Sequence, residues 1–183
     1  MEQTPTRTSP LIERARVFAT TAHEAVGQKR KYTDEPYIIH PSQVARIVQS
    51  VPGHTAQMVA SAYLHDVIED TKVTEDELFV EFGEEVTNLV VWLTKITKPE
   101  DGNRAHRMNL ERVRLGKAPA EAQTVKVADL IANAGSIMEF DPSFAKVYLK
   151  EKKELLDVLT KADATLRCAA YITVNYELFM RES

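Results

Sequence analysis

A single cysteine, Cys168, stands in a chain of 183 residues. One thiol closes no internal disulfide and builds no cysteine-based zinc cluster. Long apolar runs are equally scarce. The longest, Leu89 to Leu93 and Cys168 to Ile172, hold five residues each, against the roughly 20 that span a bilayer, so no membrane helix is expected. The first ten residues contain no apolar stretch and no small-residue cleavage site, so nothing in them reads as a secretion signal and the cytoplasm is the expected location. Six glycines and eight prolines are too few for collagen-like order or for wholesale disorder. A basic excess is missing too: net charge is -4 and the pI about 5.8. A general binder of nucleic-acid backbone is thereby excluded, and any anionic ligand must be held by a local cluster. What remains is 44% apolar and 27% charged residues, the balance of a soluble globular protein. The length suits one domain, expected over 1–183 with a core at about 10–181 and a frayed tail at 1–9.

Periodicity reads helical almost throughout. Leu11, Ala15, Phe18, Ala22 and Ala25 recur at helical spacing behind Ser9 and Pro10, and Gly27 closes the run. Pro41 suits a first helical position, where a missing N–H is unpaired anyway, so a second helix is predicted from there with His40 at its mouth. Residues 54–70 predict a third helix. Thr74 and Glu77 have the form of a capping box, and Gly83 separates that segment from Val86 to Leu93. Further helices are predicted over 104–115, 119–137, 142–159 and 164–180. Eight or nine helices and no alternation of period two make the class all-α.

The densest polar patch in this apolar pattern is His65-Asp66-Val-Ile-Glu69-Asp70. On one continuous helix these four side chains fall at about 0°, 100°, 40° and 140°, along one flank. Carboxylates that close repel one another unless solvated or neutralised by a cation, and an imidazole beside them suits a divalent metal. A solvated last turn is the plainer alternative. His40, behind Tyr37-Ile38-Ile39, is either a hydrogen-bonded core histidine or a ligand aimed inward. Asp129 and Asn133 stand at i and i+4 on an apolar helix, and a buried aspartate needs a metal or a cationic partner.

Taken together, Arg30-Lys31, Pro36 to Pro41 with Val44-Ala45, Leu64 to Thr71, Phe82-Gly83-Glu84, and Lys126 to Asp129 with Asn133 resemble the hydrolase domain of the RelA/SpoT-homologue family, within the HD-domain phosphohydrolases. The resemblance runs from about residue 12 to about residue 160 in the same order and with similar intervals. With no synthetase domain following, the chain is similar to a stand-alone small alarmone hydrolase.

That resemblance implies one Mn²⁺ held by His40, His65, Asp66 and Asp129. It implies that Glu69 and Asp70 position and deprotonate the attacking water, without saying which does which. It further implies that Asn133 contacts the ribose or phosphate region and that Arg30 lies against the purine with Lys31 beside it. Arg104 and Arg107 correspond in distance from Asp129 to basic residues of the family's pyrophosphate pocket; Tyr148 and Lys152 are weaker candidates for the ribose side. Arg112, Arg114 and Lys117 read as a solvated face. The implied activity is hydrolysis of the 3′-pyrophosphate of nucleotide alarmones, (p)ppGpp or (p)ppApp, to GDP or GTP (ADP or ATP) and pyrophosphate.

Two imidazoles and two carboxylates suit Mn²⁺ or another first-row ion better than Ca²⁺. The chain departs from many family members at Leu130 and Ala132, where polar residues are usual, which implies a less polar pocket wall and leaves adenosine alarmones as open as guanosine ones. The alternatives are another HD-domain nucleotidase or a non-catalytic alarmone-binding module; a binding module would have no use for the Glu69-Asp70 pair. Among the remaining histidines, His23 reads as packing or supporting and His54 as exposed.

Overall fold

The computed structural model describes residues 9–182. The expected tail at residues 1–8 lies outside the described residues. Ser9, assigned to that tail, already belongs to the first helix entry, its carbonyl accepting the Glu13 N–H at 3.1 Å. Nine α-helices follow: α1 Pro10–Ala25, α2 Ile39–Gln49, α3 Ala56–Leu64, α4 Val67–Asp70, α5 Glu75–Leu93, α6 Arg104–Leu115, α7 Ala120–Phe140, α8 Pro142–Val158 and α9 Ala164–Glu182, with a 3-10 turn at Pro99–Asp101. Among the described residues the sole β pairing is an isolated bridge between Lys29 and Pro36. The all-α expectation holds.

Side-chain caps start several of these helices. Thr55 accepts the Met58 N–H, Asn103 that of His106, and Asp141 that of Phe144, while Thr74 and Glu77 form the reciprocal capping box. Buried α3 packs against α1, α2, α5 and α7, and α7 in turn packs on α2, α8 and α9. Its apolar side chains Val59, Ala60, Ala62 and Leu64 are fully buried. The site is therefore built at the centre of the helical assembly rather than on a surface loop.

Two boundaries differ from the sequence expectation, and both move site residues. Helix α2 begins at Ile39, not Pro41, because Ile38 is already helical (φ -55°, ψ -19°) and the Ser42 N–H reaches its carbonyl. Pro41 still falls in the first turn, where no N–H is required. His40 thus belongs to that turn and is 1% exposed. The helix expected over 54–70 starts at Ala56 and breaks after Leu64, with Asp66 at φ -104°, ψ -3° before the single turn of α4. The common flank drawn for His65, Asp66, Glu69 and Asp70 on one continuous helix is therefore interrupted.

Gly83 kinks α5 with φ 78° and ψ 175°, a conformation open essentially to glycine alone. A Cβ there would meet nothing within 4 Å, so the constraint is conformational, not steric. Gly83→Ala is expected to lower stability by about 1–3 kcal/mol, measured by denaturant unfolding.

Candidate metal centre and its cavity

Four side chains from separate elements meet beneath one cavity. His40 comes from α2, His65 and Asp66 from the break between α3 and α4, and Asp129 from the middle of α7. Donor atoms of His40, His65 and Asp66 lie within 4.8 Å of one another. Asp129 Oδ1 is 3.1 Å from His40 Nε2 and 3.7 Å from His65 Nε2, and Asp66 Oδ2 is 3.0 Å from His65 Nε2 and 3.8 Å from His40 Nε2.

His65 shows why this grouping fits a cation. Its Nδ1 lies 2.8 Å from the Ala62 carbonyl, a contact that keeps a proton on Nδ1 and makes Nε2 the nitrogen that takes either a second proton or a metal. That Nε2 is buried and makes no hydrogen bond, although two carboxylate oxygens are close. An orphaned imidazole nitrogen among carboxylate oxygens, in a two-nitrogen, two-oxygen donor set, suits a divalent first-row ion.

The supporting shell fixes both carboxylates. Tyr37 Oη donates to Asp66 Oδ2 at 2.5 Å, Lys126 Nζ to Asp129 Oδ2 at 2.8 Å, and Asn133 Nδ2 to Asp129 Oδ1 at 2.7 Å. The buried His23 ring packs at a 44° tilt against Tyr37, centroids 4.6 Å apart, with Nδ1 2.6 Å from Gln28 Oε1, the packing and supporting role expected of it. Electrostatics follow. Burial pushes Asp129 up, but Lys126 and the two imidazoles overturn that and hold it well below the usual carboxylate range. Burial likewise raises Asp66, and His65 brings it down.

Burial alone would depress the His65 imidazole, yet Asp66 and Asp129 lift it to about 10. A raised folded-state value means the proton stabilises the metal-free fold fully below the ordinary histidine value of about 6.5, and that this stabilisation is lost as pH rises through about 10. A cation must displace that proton. Divalent-ion affinity is therefore expected to rise with pH with net proton release, measured by titration calorimetry in buffers of different ionisation enthalpy; a pH-independent affinity would contradict the donor set.

Above the four donors lies a cavity of about 380 Å³. Glu69 and Asp70 both line it. Burial raises the Glu69 carboxyl, with Lys95 opposing and Asp66 and Asp70 adding to the rise. Its Oε2 accepts the Lys95 backbone N–H at 3.2 Å, and the Lys95 ammonium is 3.8 Å from Oε1. Asp70 Oδ2 is tied to Gln28 Nε2 at 2.8 Å.

Candidate substrate contacts divide into those the fold brings to the cavity and those it does not. Asn133, Arg104 and Tyr148 line it; Arg30 reaches its edge through Asn133 Oδ1 at 3.5 Å and Ser136 Oγ at 3.2 Å. Lys31 is exposed and pairs with Tyr32 Oη. Arg107 turns away and donates to the carbonyls of Gly102 and Pro99, because those carbonyls of the 3-10 turn lie within one turn of its own helix. Arg104 is held by Glu151 through two 2.8 Å bonds.

Two expectations are corrected here. Arg112 and Arg114 are not a solvated face: Arg112 lines the cavity and pairs with Glu154, and Arg114 is bound to Glu111. Only Lys117 of that group is exposed. Leu130 and Ala132 do not form a less polar wall, because Leu130 packs into the core around α8 and α9 and Ala132 against the cluster of α2 and α3. The cavity instead carries Lys95, Arg104, Arg112, Lys126 and Lys152. Burial beside Lys126 brings the Lys152 ammonium down to about 8.

The profile described as HD domain matches residues 15–155, a span that contains every candidate donor. The chain belongs to the HD-domain family. Its RelA/SpoT-homologue branch is shown by the guanosine-3′,5′-bis(diphosphate) 3′-pyrophosphohydrolase MESH1 of Xenopus tropicalis, 34% identical over 137 residues and covered to 72% of either chain. Probable guanosine-3′,5′-bis(diphosphate) 3′-pyrophosphohydrolases are also similar. The one from Synechocystis sp. is 33% identical over 148 residues, and that from Mycoplasma pneumoniae 34% over 158. Each alignment takes 79% of this chain but only 19% and 20% of the respective relative, so the HD-domain chain spans about one fifth of their length.

The solved structure of a metazoan ortholog of SpoT that hydrolyzes ppGpp superposes with a TM-score of 0.80 at 22% identity, over 96% of this chain and 98% of that one. At that identity the match establishes the HD-domain fold. No helix of the described residues is long and apolar enough to cross a membrane.

Tyr37, Lys126, Gln28, Glu111 and Lys95 escaped the sequence reading. Lys126 alone carried a local signal, at i-3 from Asp129 on an otherwise apolar face.

Proposed function

We propose that this HD-domain protein is a Mn²⁺-dependent 3′-pyrophosphohydrolase of nucleotide alarmones. The observation that carries the reading is the convergence of His40, His65, Asp66 and Asp129, with an orphaned His65 Nε2, at a cavity lined by Glu69, Asp70 and five cationic side chains together with Glu111, Glu151 and Glu154. The names of the relatives agree with it. A divalent ion at these donors supplies Lewis acidity toward a phosphoryl oxygen and toward water.

The chain's own residues supply the rest. Glu69 acts as the general base, because burial raises its carboxyl and its Oε2 is fixed by the Lys95 N–H. Asp70, tied to Gln28, orients the water. The water oxygen bonds to the 3′-linked phosphorus, its proton passes to Glu69, the bond to the ribose 3′-oxygen breaks, and that oxygen takes a proton from solvent water, to which Glu69 returns its own. Pyrophosphate and the nucleoside 5′-di- or triphosphate leave. Arg30 and Asn133, already joined across the cavity rim, orient the nucleoside, and Arg104, Arg112, Lys126 and Lys152 neutralise phosphate charge.

The test is a panel of guanosine and adenosine tetra- and pentaphosphates with manganese or with chelator, read by chromatography of the products. Metal-dependent release of pyrophosphate is expected. Tight alarmone binding without turnover would instead favour a binding module, and turnover confined to ordinary mononucleotides a nucleotidase.

A further inference from the structure

Residues 94–97 leave α5 as a short strap whose Lys95 lines the cavity, and three of its polar backbone groups are tied to α6. Glu111, 7% exposed, accepts the Ile96 and Thr97 N–H groups on the same Oε1, both at 2.8 Å. Its Oε2 takes Arg114, whose Nε and nearer terminal nitrogen lie at 3.2 and 3.1 Å. Arg114 in turn donates to the Thr94 carbonyl at 2.6 Å, closing the other end. Burial raises the Glu111 carboxyl, but these donors overturn it and keep the group charged. The Thr94 N–H stays with the Val90 carbonyl of α5, and the Lys95 N–H goes to Glu69 Oε2.

We infer that Glu111 is a positioning residue for the reaction: with Arg114 it locks the strap so that the Lys95 backbone N–H holds the Glu69 carboxylate in place. The inference rests on the proposed role of Glu69 as base. Glu111→Gln keeps one oxygen for the Ile96 and Thr97 N–H groups but sets an amide NH2 against the Arg114 guanidinium, so the Arg114 tie to the Thr94 carbonyl is lost and the strap must shift. Glu69 would then lose its fixed donor and swing among rotamers. A displacement of about 1 Å can cost about 100-fold in rate.

The experiment compares steady-state kinetics of the manganese-loaded full chain for Glu111→Gln, Glu69→Gln and the double variant, with Lys95→Ala as control. Glu111→Gln is expected to lower kcat about tenfold or more while KM and metal affinity stay within about twofold. In the Glu69→Gln background the same change should cost almost nothing, because both act through one group. Lys95→Ala retains the backbone N–H while removing the ammonium 3.8 Å from Glu69 Oε1, so it measures the side chain's share of the effect separately from the strap's. Amide hydrogen exchange at Lys95, Ile96 and Thr97 should rise in Glu111→Gln, a readout independent of turnover.

An equal loss in both backgrounds would overturn the inference, since it marks general loosening. So would a fall in KM, which would mark direct repulsion of the substrate by Glu111. Should Glu111→Gln fail to fold, Arg114→Gln releases the Thr94 end and must show the same non-additivity. If Glu69→Gln by itself leaves kcat within about threefold, the base assignment has failed, a result separable from failure of the strap.

Discussion

His65→Ala is expected to bind no manganese in titration calorimetry and to lose alarmone turnover by about three orders of magnitude, since a bound ion supplies several kcal/mol of transition-state stabilisation. The imidazole is 2% exposed, its Nδ1 is committed to the Ala62 carbonyl, and its Nε2 has no hydrogen-bond partner. Nothing in the packing explains that orphan as well as a metal ligand does. Asp129→Ala should give the same joint loss, although by a second route as well. It leaves Lys126 buried without its 2.8 Å partner and frees Asn133 from the Asp129 oxygen. Retained turnover in either variant, at metal concentrations that saturate the parent, would remove these residues from the centre.

Glu69→Gln should behave differently. Manganese affinity is expected to stay within about threefold, while kcat falls by about 100-fold to 10,000-fold, the range for a positioned general base. The split follows from geometry: Glu69 lines the cavity, is tied to Lys95, and is absent from the group of close donors. The amide keeps the size and can still accept the Lys95 N–H, so the strap is undisturbed and only proton acceptance is lost. Burial raises the Glu69 carboxyl, so the acid limb of the parent's pH profile should lie above that of an ordinary glutamate. Loss of metal together with turnover in Glu69→Gln would mean that Glu69 belongs to the ligand set instead.

How much of this was legible can be argued residue by residue. Helix existence was readable because local devices specify it: the Thr74–Glu77 box and the limits of α6 both stand where the sequence placed them. The dyad was readable as chemistry but not as geometry. A break after Leu64 has no glycine or proline to announce it, and it arises where His65 turns to the Ala62 carbonyl and Asp66 to Tyr37. Arg107 and Arg112 were separated in the sequence only by their distance from Asp129, and that ordering did not predict their partners. Arg107 finds the carbonyls of Gly102 and Pro99 a few residues back in the chain, whereas Arg112 finds Glu154 of α8. Glu111 escaped notice, since a carboxylate whose donors are backbone N–H groups fourteen and fifteen positions away leaves no trace in residue type.

The positions of the four donors have a mechanical consequence. Residues 40, 65, 66 and 129 sit on three elements that the chain visits far apart in time, so an ion gripping them would act as a rivet between the early and late halves of the fold. Such a fastening shortens the slack available to an unfolding chain. Supply of that divalent ion would then govern how long the protein survives proteases.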